Sequence, residues 1–416
     1  MAKFSLLLLA LALPCFLFSQ DKSYAEYIVK TLSDSAMHGR GYVNDGDKKS
    51  AEFIMKEFRH AGLQPMAHTY FQSFPMTVNS FPDTISVEID GSLLEPGKDF
   101  VVMSYSPSVH NSFDLVYLAG DSLLSENQNI QIADRSLSGK VLVTDANPGD
   151  LKESSLFDAS GVVFLTRDKV WWHVSNGREV KDFFGLKIRE GKINEQSKEI
   201  SVAINNRFDE NHITQNVIGY LDGMSEPDSF AVFTAHYDHL GRMGEEIYFP
   251  GANDNASGVA MLLDLAHFYG KPENRPDFSM VFIAFAAEEA GLLGSAFFTA
   301  NPTLPLSDIK FLVNLDMVGS GSEGIKVVNG SVFENRFQQL VDLNDKNKLL
   351  TKVSKRGEAA NSDHYPFYAS GVPCFFIYTL GKESPEYHTV EDTPQNVPFT
   401  EYNDLFTLLT LFVEKL

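Results

Sequence analysis

The chain has 416 residues, of which 44% are hydrophobic and 21% are charged. These proportions are typical of a globular protein and argue against a disordered or fibrous one, and the length accommodates two or three domains. Acidic residues outnumber basic residues by 55 to 34, which gives a formal net charge of −21. Because a surface of that charge repels phosphate backbones, we exclude nucleic acid as a partner.

The first twenty residues have the pattern of an export signal. Lys3 precedes an apolar run, residues 4–18, that is short for a bilayer span, and a polar segment begins at Gln20. We therefore expect residues 1–20 to be a signal peptide and the protein to be exported, either to the periplasm or out of the cell. No second apolar run of spanning length follows in the sequence, so we expect no transmembrane segment in the mature chain.

The sequence contains two cysteines, Cys15 and Cys374. Removal of the signal peptide would leave Cys374 alone, so we expect no internal disulfide bond. We favour a free exported protein over a lipoprotein because Pro14 precedes Cys15, where a lipid-bearing cysteine normally follows a small residue.

A helix is predicted near the start of the mature chain. Ala51, Ile54, Met55 and Phe58 follow the i, i+3, i+4, i+7 spacing of one helix face, and Gly62 provides a stop signal.

Residues 84–203 differ in texture from the rest of the chain. Short β-rich runs at 115–118, 140–143 and 162–165 alternate with glycine-containing turn sequences. This pattern predicts a small β-rich domain inserted into the chain.

From residue 216 onward, apolar strands alternate with helical runs. The strands are indicated at 231–235, 280–287, 311–315 and 374–378. Strands that are apolar along nearly their whole length are typical of a parallel sheet covered on both faces. The sequence therefore predicts an α/β fold in which a mostly parallel, mixed sheet is sandwiched by helices and carries the small β-rich insert.

Polar clusters occur where these strands end. They are His236-Tyr237-Asp238-His239, Asn253-Asp254-Asn255, Glu288-Glu289, Asn314-Leu315-Asp316 and Tyr387-His388. Open α/β sheets bind ligands just beyond the carboxyl ends of their strands, which is the place that these clusters occupy. Imidazole and carboxylate together are the ligand set of zinc and similar divalent ions.

The charge of the clusters favours a metal site. Four of their five carboxylates are Asp254, Glu288, Glu289 and Asp316. If they crowded together without cations, they would repel one another and bind protons. Each cluster alone has a structural interpretation; Asp254, for example, could cap a helix that begins near Ser257. The joint occurrence of the clusters at strand ends favours a site for divalent cations.

In their order along the chain, these motifs resemble those of the co-catalytic two-zinc aminopeptidase family, which also contains glutamate carboxypeptidases and glutaminyl cyclases. The resemblance extends to Asn216-Val217-Ile218-Gly219, Glu288-Glu289-Ala290-Gly291-Leu292-Leu293-Gly294-Ser295 and Tyr387-His388-Thr389. It implies a zinc-exopeptidase-like fold and two Zn²⁺ ions per chain, and other divalent metals such as cobalt or manganese fit the same ligand types.

The resemblance also implies which residues hold the metals. Asp254 bridges both ions. The remaining ligands are His236 and Asp316 for one ion, and Glu289 and His388 for the other.

The implied activity is the removal of N-terminal residues from peptides by a water molecule that two metals activate. Glu288 is the implied general base, and Asp238 is expected to accept the ring N–H of His236 and so fix its tautomer. His364 and Tyr378 lie in a segment that, by resemblance, lines the substrate pocket, and we expect them to bind substrate.

Residues 110–198 resemble, more loosely, the protease-associated domain that is often inserted in this family. With that insert, residues 21–109 and 199–416 form the two parts of the catalytic domain.

Three alternatives remain: a related carboxypeptidase, a glutaminyl cyclase on the same scaffold, or a non-catalytic exported binding protein. The complete set of five ligands, together with Glu288, favours a peptidase over the glutaminyl cyclase and the binding protein, and the related carboxypeptidase stays open as an alternative. The sequence contains neither the G-x-S-x-G motif of a serine hydrolase nor the H-E-x-x-H motif of a single-zinc protease.

Overall fold

The computed structural model describes residues 22–124, 136–150 and 158–416. The expected signal peptide, residues 1–20, and Cys15 within it lie outside the described residues. In the part of the chain that is described, no helix combines the length and the apolar composition that a membrane crossing requires.

The described residues contain both α-helices and β-strands. The α-helices are α1 (Lys22–Leu32), α2 (Gly46–His60), α3 (Gly120–Leu124), α4 (Gly258–Gly270), α5 (Leu293–Ala300), α6 (Glu334–Asn347), α7 (His364–Ala369) and α8 (Tyr402–Val413). The strands are β1 (Gln64–Pro65), β2 (Phe71–Ser80), β3 (Ser86–Ile89), β4 (Ser92–Leu93), β5 (Phe100–Val102), β6 (Val109–Tyr117), β7 (Lys140–Thr144), β8 (Gly161–Thr166), β9 (Phe184–Arg189), β10 (Glu199–Ile204), β11 (Arg207–Leu221), β12 (Glu226–His236), β13 (Arg242–Met243), β14 (Ile247–Tyr248), β15 (Phe278–Phe285), β16 (Ile309–Leu315), β17 (Gly324–Val328), β18 (Val353–Lys355) and β19 (Cys374–Leu380).

The larger sheet has nine strands and a parallel centre. Its order is β1-β11-β15-β12-β16-β19-β17-β18, with β2 also paired to β11. The four central strands β15, β12, β16 and β19 run parallel to one another, whereas β11 and β17 flank them in the antiparallel direction. The α/β class with a mostly parallel, mixed sheet is therefore confirmed.

Helices cover both faces of this sheet, as its apolar strands require. All residues of β15 are buried, and they alternate between two hydrophobic cores. Met280, Phe282 and Ala284 pack in one core with side chains of α1, α2, α4 and α8, whereas Val281 and Ile283 pack in the other with α5 and α7. A strand buried on both faces has no polar side, which explains the continuous apolar run in the sequence.

The helix α4 lies directly beneath the carboxyl edge of the sheet. Its first residue, Gly258, approaches the end of β16 so closely that a Cβ atom there would lie 2.5 Å from the Leu315 carbonyl oxygen. Glycine is the residue that permits this approach, and it brings the turn before α4 against the end of β16.

The smaller sheet has eight strands, in the order β4-β3-β10-β6-β7-β8-β9-β5. Its strands extend from Ser86 to Ile204, so the range 110–198 predicted for the insert omits strands at both ends of the sheet. The hydrophobic core of this sheet also contains Leu240, Met243 and Phe249, which follow β12 of the larger sheet. The two sheets are therefore joined by apolar packing next to the His236 end of β12.

Candidate metal centre

The five predicted ligands meet at the carboxyl edge of the larger sheet. His236 is the last residue of β12, and Asp316 directly follows β16. Glu289 lies four residues beyond β15, Asp254 lies in the turn before α4, and His388 lies in the loop after β19. The structure thus brings together residues that are up to 152 positions apart, because the strands that carry them are parallel neighbours.

One set of donor atoms lies between β12 and β16. His236 Nε2 is 3.4 Å from Asp254 Oδ1 and 3.4 Å from Asp316 Oδ1. These three residues offer ligand atoms that all lie within 4.8 Å of one another. An imidazole nitrogen and two carboxylate oxygens at this spacing match the protein ligands of a zinc site.

A second set lies on the other side of Asp254. His388 Nε2 is 3.1 Å from Asp254 Oδ2 and 3.2 Å from Glu289 Oε2. Asp254 therefore presents one carboxylate oxygen to each set, which is the arrangement expected of a residue that bridges two cations. Like the first set, the second set has one imidazole nitrogen and two carboxylate oxygens.

Protons on the two histidines offset part of the negative charge of these buried carboxylates. Burial opposes the charged form of His388, but Glu289 and Asp254 outweigh it and raise its pKa to about 11. The pKa of His236 is likewise raised well above its ordinary value, because Asp316 and Glu288 outweigh burial. The histidine nitrogens that hold these protons point at the carboxylates, so a cation that replaced the protons would meet the same oxygens.

The pKa values of Asp254 and Glu289 are lowered, in the opposite direction to those of the two histidines. Burial alone would raise the pKa of Asp254, but hydrogen bonds with His236 and His388 hold it well below its ordinary value. The pKa of Glu289 is also lowered, because the charge of His388 outweighs burial. Both side chains are therefore anionic, as metal ligands must be.

Glu288 differs from these ligands. Burial, together with the nearby carboxylates of Glu289 and Asp363, raises the pKa of Glu288 well above its ordinary value. Its side chain lines the cavity in front of the two donor sets. A carboxyl group with a raised pKa that faces the cavity has the position of a proton acceptor for a reacting water molecule.

Asp238 holds the backbone that carries Glu288 and Glu289. Its two carboxylate oxygens accept the Glu288 N–H at 3.0 Å and the Glu289 N–H at 3.2 Å. The ring nitrogen Nδ1 of His236 lies 3.2 Å from the Asp238 backbone carbonyl and 3.8 Å from its carboxylate. The expected hydrogen bond from the imidazole to Asp238 is therefore made by the carbonyl oxygen, because the carboxylate is engaged by the two backbone N–H groups.

A chain of hydrogen bonds orients Asp316. Ser362 Oγ donates to Asp316 Oδ2 at 2.8 Å, which leaves Oδ1 directed at His236. Ser362 Oγ in turn accepts from Asn314 Nδ2 at 2.8 Å, and Asn314 Oδ1 accepts from Thr234 Oγ1 at 2.7 Å. All of these groups are buried, so each carboxylate oxygen has a fixed partner.

Asp392 fixes the turn that carries Asp254. Its carboxylate accepts the Asn253 N–H at 2.8 Å and the Asp254 N–H at 3.0 Å. The Asp254–Asn255 peptide bond is cis. Asn255 Oδ1 accepts the Met317 N–H at 3.1 Å, which ties this turn to the loop after β16.

The backbone is left-handed at three non-glycine residues next to the donor sets. Ala287 has a φ of 57°, Met317 a φ of 58° and His388 a φ of 53°. Such conformations are uncommon for residues with a Cβ, and in folded proteins they concentrate at functional sites.

Two residues that the sequence analysis did not assign contact the ligands directly. His239 Nδ1 lies 2.8 Å from Glu289 Oε1, so Glu289 is held between two imidazoles. His388 Nδ1 lies 2.9 Å from the Trp172 carbonyl oxygen, which belongs to the loop between β8 and β9 of the smaller sheet. A carbonyl can only accept, so His388 Nδ1 carries a proton and donates it to Trp172, whereas Nε2 faces Asp254 and Glu289.

In front of the donor sets lies a cavity of about 230 Å³. It is lined by His236, Asp254, Glu288, Glu289, Asp316, Met317, Asn361, Phe376, Tyr378, Tyr387 and His388. Tyr378 thus faces the predicted site. His364 is absent from the described residues that line the cavity; it is fully buried, its ring lies 5.3 Å from that of Phe376, and burial lowers its pKa to about 4.

The sequence of residues 216–413 matches the family described as Peptidase family M28. These residues belong to peptidase family M28. The match contains all five ligand candidates, and it confirms the resemblance that was inferred from the motifs.

The M28 relationship is also visible in individual proteins. Aminopeptidase YwaD from Bacillus subtilis (strain 168) is 31% identical over 229 residues, which are 51% of this chain and 46% of that protein. The chain therefore matches less than half the length of this relative.

Two solved structures share the fold over nearly the whole chain. BSAP, a zinc aminopeptidase from Bacillus subtilis, is 23% identical with a TM-score of 0.70 and covers 95% of both chains. A Peptidase M28 precursor from Shewanella amazonensis SB2B is 16% identical with a TM-score of 0.74, and the match covers 94% of this chain and 92% of that one. At these identities the likeness establishes the fold alone.

Proposed function

We propose that the protein is a zinc-dependent aminopeptidase that hydrolyses N-terminal residues from peptides. The observation that carries this proposal is the position of Asp254, whose two oxygens face separate imidazole–carboxylate sets, one with His236 and one with His388. The aminopeptidase named among its M28 relatives supports the same activity.

The residues fit two zinc ions. His236 and Asp316 on one side of Asp254, and Glu289 and His388 on the other, supply nitrogen and oxygen donors of the types that zinc prefers. When bound, two divalent ions supply Lewis acidity, which polarises a peptide carbonyl and makes a water molecule more acidic. Cobalt and manganese fit the same donor types, so the metal content has to be measured.

Glu288 performs the proton transfers in this proposal. Its carboxylate accepts a proton as the water oxygen bonds to the carbonyl carbon of the first peptide bond, and it returns that proton to the leaving nitrogen as the C–N bond breaks. Asp238 keeps the Glu288 backbone in place through the N–H that it accepts. Cations next to Glu288 favour its ionised form, which is the form that can accept the proton.

The cavity suggests the kind of residue that is removed. Met317, Phe376 and Tyr378 give it an apolar and aromatic wall next to Asp316. An apolar N-terminal side chain would bury its surface there, and the surrounding carboxylates would stabilise the free α-ammonium group. We therefore expect large apolar residues to be preferred at the N-terminus of the substrate.

We also propose that the protein is exported and that the unit built on the smaller sheet is of the protease-associated type. The first proposal is supported by the signal-like pattern of residues 1–20, and the second by the β-rich pattern of residues 84–203. N-terminal sequencing of the protein recovered outside the cytoplasm would test the first, with a mature N-terminus near Asp21 as the expected result.

The activity is tested on the purified mature chain, residues 21–416, with aminoacyl amides and peptides that have free or acetylated N-termini. We expect hydrolysis of the free-amine substrates only, loss of activity with a chelator, and recovery with zinc. Glu288→Gln should lower kcat by about 10²- to 10⁴-fold while two zinc ions remain bound. The exposed Glu273→Gln provides a matched control that should retain full activity.

Three results would contradict the proposal. Hydrolysis of acetylated peptides from the C-terminus would indicate a carboxypeptidase. Release of ammonia from peptides with N-terminal glutamine, without hydrolysis, would indicate a glutaminyl cyclase. Zinc binding without turnover of any of these substrates would indicate a binding protein.

A further inference from the structure

The loop between β8 and β9 crosses from the smaller sheet to the metal centre. The Trp172 backbone N–H donates to the His388 carbonyl at 3.1 Å, and the Trp172 carbonyl accepts from His388 Nδ1 at 2.9 Å. Two hydrogen bonds in opposite directions, one between backbone groups and one from the His388 ring, therefore hold this loop against a ligand candidate. The unit built on the smaller sheet thus contributes to the geometry of the site.

Side chains anchor the same loop on both sides of Trp171. Lys169 pairs with Glu386, whose second carboxylate oxygen accepts from Thr389 Oγ1 at 3.0 Å. On the other side, the Trp172 indole is only 3% exposed, and its Nε1 donates to the Val102 carbonyl at 2.7 Å. Because both neighbours are fixed, the backbone at Trp171 has little freedom to move.

Trp171 itself lies at the surface, between these two anchors. Its side chain is 46% exposed, and its ring meets the ring of Tyr387 edge-on at 6.0 Å. Tyr387 stacks on His388 at 3.9 Å and lines the cavity. A large, half-exposed indole on an anchored backbone at the rim of a site offers a surface to which an apolar group can bind.

The size of the cavity determines what reaches this surface. A volume of about 230 Å³ has room for roughly one large side chain, so a longer peptide must leave the cavity over its rim. The apolar wall of Met317, Phe376 and Tyr378 lies beside Asp316, whereas Tyr387 and Trp171 lie beside His388. If the N-terminal side chain of the substrate packs against the apolar wall beside Asp316, the residue after the scissile bond passes Tyr387 and Trp171.

We propose that Trp171 binds the side chain of the residue that follows the scissile bond, so that the smaller-sheet unit supplies a subsite selective for aromatic and large apolar residues at the second position of the peptide. This inference rests on the proposed aminopeptidase function. Its ligand is a peptide whose second residue is aromatic, and its physical basis is ring–ring contact and apolar burial against a fixed indole.

The test measures selectivity at the second position. The zinc-loaded mature chain is assayed on two dipeptide amides that share the best N-terminal residue and carry either phenylalanine or glycine second, and the ratio of their kcat/KM values is compared between variants. Trp171→Ala should lower the phenylalanine-to-glycine ratio by about tenfold, mainly through KM, and Trp171→Phe should restore most of it. Val180→Ala, a change of another exposed apolar residue in the same connection, is the matched control and should keep the wild-type ratio.

The outcomes separate this inference from the function on which it rests. Hydrolysis by the wild type together with an unchanged ratio in Trp171→Ala would overturn the subsite and leave the aminopeptidase intact. An equal loss on both substrates would also overturn it, because a purely structural role of Trp171 would lower both values. Absence of hydrolysis by the wild type, with zinc bound, would overturn both proposals.

Discussion

His239 Nδ1 lies 2.8 Å from Glu289 Oε1, and both side chains are buried. The other oxygen of Glu289 lies 3.2 Å from His388 Nε2. The contact with His239 therefore decides which oxygen of Glu289 is free to face the metal site. A partner that holds a ligand in this way fixes the orientation of the ligand and raises the affinity for the metal.

We predict that His239→Leu lowers the affinity for zinc by about 10- to 100-fold, because Glu289 loses the group that orients it. His239→Asn places an amide N–H near the position of Nδ1 and should retain most of the affinity. Competition of each variant with a zinc-binding dye measures the difference. A leucine variant that binds zinc like the wild type would show that His239 only fills space.

The metal-free protein should become less stable as the pH rises from about 5 to 8. Burial raises the pKa of Asp238, Asp363 and Asp392 to about 7 each. In the unfolded chain the same groups lose their protons near pH 4, so between about pH 4 and 7 these three groups hold more protons in the folded state than in the unfolded state. His173 and His364, whose pKa burial lowers to about 4, hold fewer protons in the folded state and offset part of this difference. Stability then falls with rising pH, since it rises only where the unfolded state binds more protons.

His236 and His388, whose pKa values are raised, also lower the stability as the pH rises above this range. The pKa of His388 is raised to about 11, so its contribution is complete below the unfolded value near 6.5 and is lost as the pH approaches 11. We expect the melting temperature of chelator-treated protein to fall by more than about 5 °C between pH 5 and 8. The zinc-loaded protein should change less, because bound cations replace these protons. A melting temperature that rises with pH in the metal-free sample would contradict the argument.

The central part of the fold could be predicted because its signal is local. Runs such as 231–235 and 374–378 are apolar along nearly their whole length, and only strands buried on both faces require that composition. Parallel strands have their carboxyl ends at one edge, so the positions of His236 and Asp316 at the ends of two such runs were enough to place them together.

The supporting contacts could not be predicted in the same way. Trp172 and His388 are 216 residues apart, and no periodicity in either segment indicates that one packs on the other. For Asp238, the sequence shows an aspartate in either case, so it does not tell whether the carboxylate binds an imidazole or two backbone N–H groups. His364 shows the same limit, since a polar residue in a plausible segment can still pack against Phe376 rather than face the cavity.

Ser362→Ala tests the hydrogen-bond chain behind Asp316. The change removes the donor to Asp316 Oδ2 and leaves the buried Asn314 amide without its acceptor. We expect a loss of about 1–3 kcal/mol in the free energy of unfolding and weaker zinc binding. Thr234→Val alters only the hydrogen bond farthest from Asp316 and should weaken zinc binding much less. Urea unfolding and dye competition measure the two effects; similar zinc affinities in both variants would exclude a role of Ser362 in orienting Asp316.

Arg40 stabilises the backbone around the metal site. Among the described residues, no carboxylate lies at hydrogen-bonding distance from its guanidinium group. It is fully buried, and burial lowers its pKa to about 10, so it stays charged at neutral pH. Its guanidinium donates to five backbone carbonyls, those of Leu32, Tyr237, Pro250, Gly251 and Asp254. The same side chain therefore links α1, the end of β12 and the turn that carries Asp254.

Arg40→Lys should lower the free energy of unfolding by about 2–5 kcal/mol, even though the charge is kept. An ammonium group has three donors, so at least two of the five buried carbonyls lose their hydrogen bond. Arg167→Lys is the matched control, because the Arg167 side chain is 85% exposed and the change should cost little. Urea unfolding of the zinc-loaded variants measures both values. A loss in Arg40→Lys no larger than that in Arg167→Lys would mean that water replaces the missing donors and that the guanidinium does not fix the turn at Asp254.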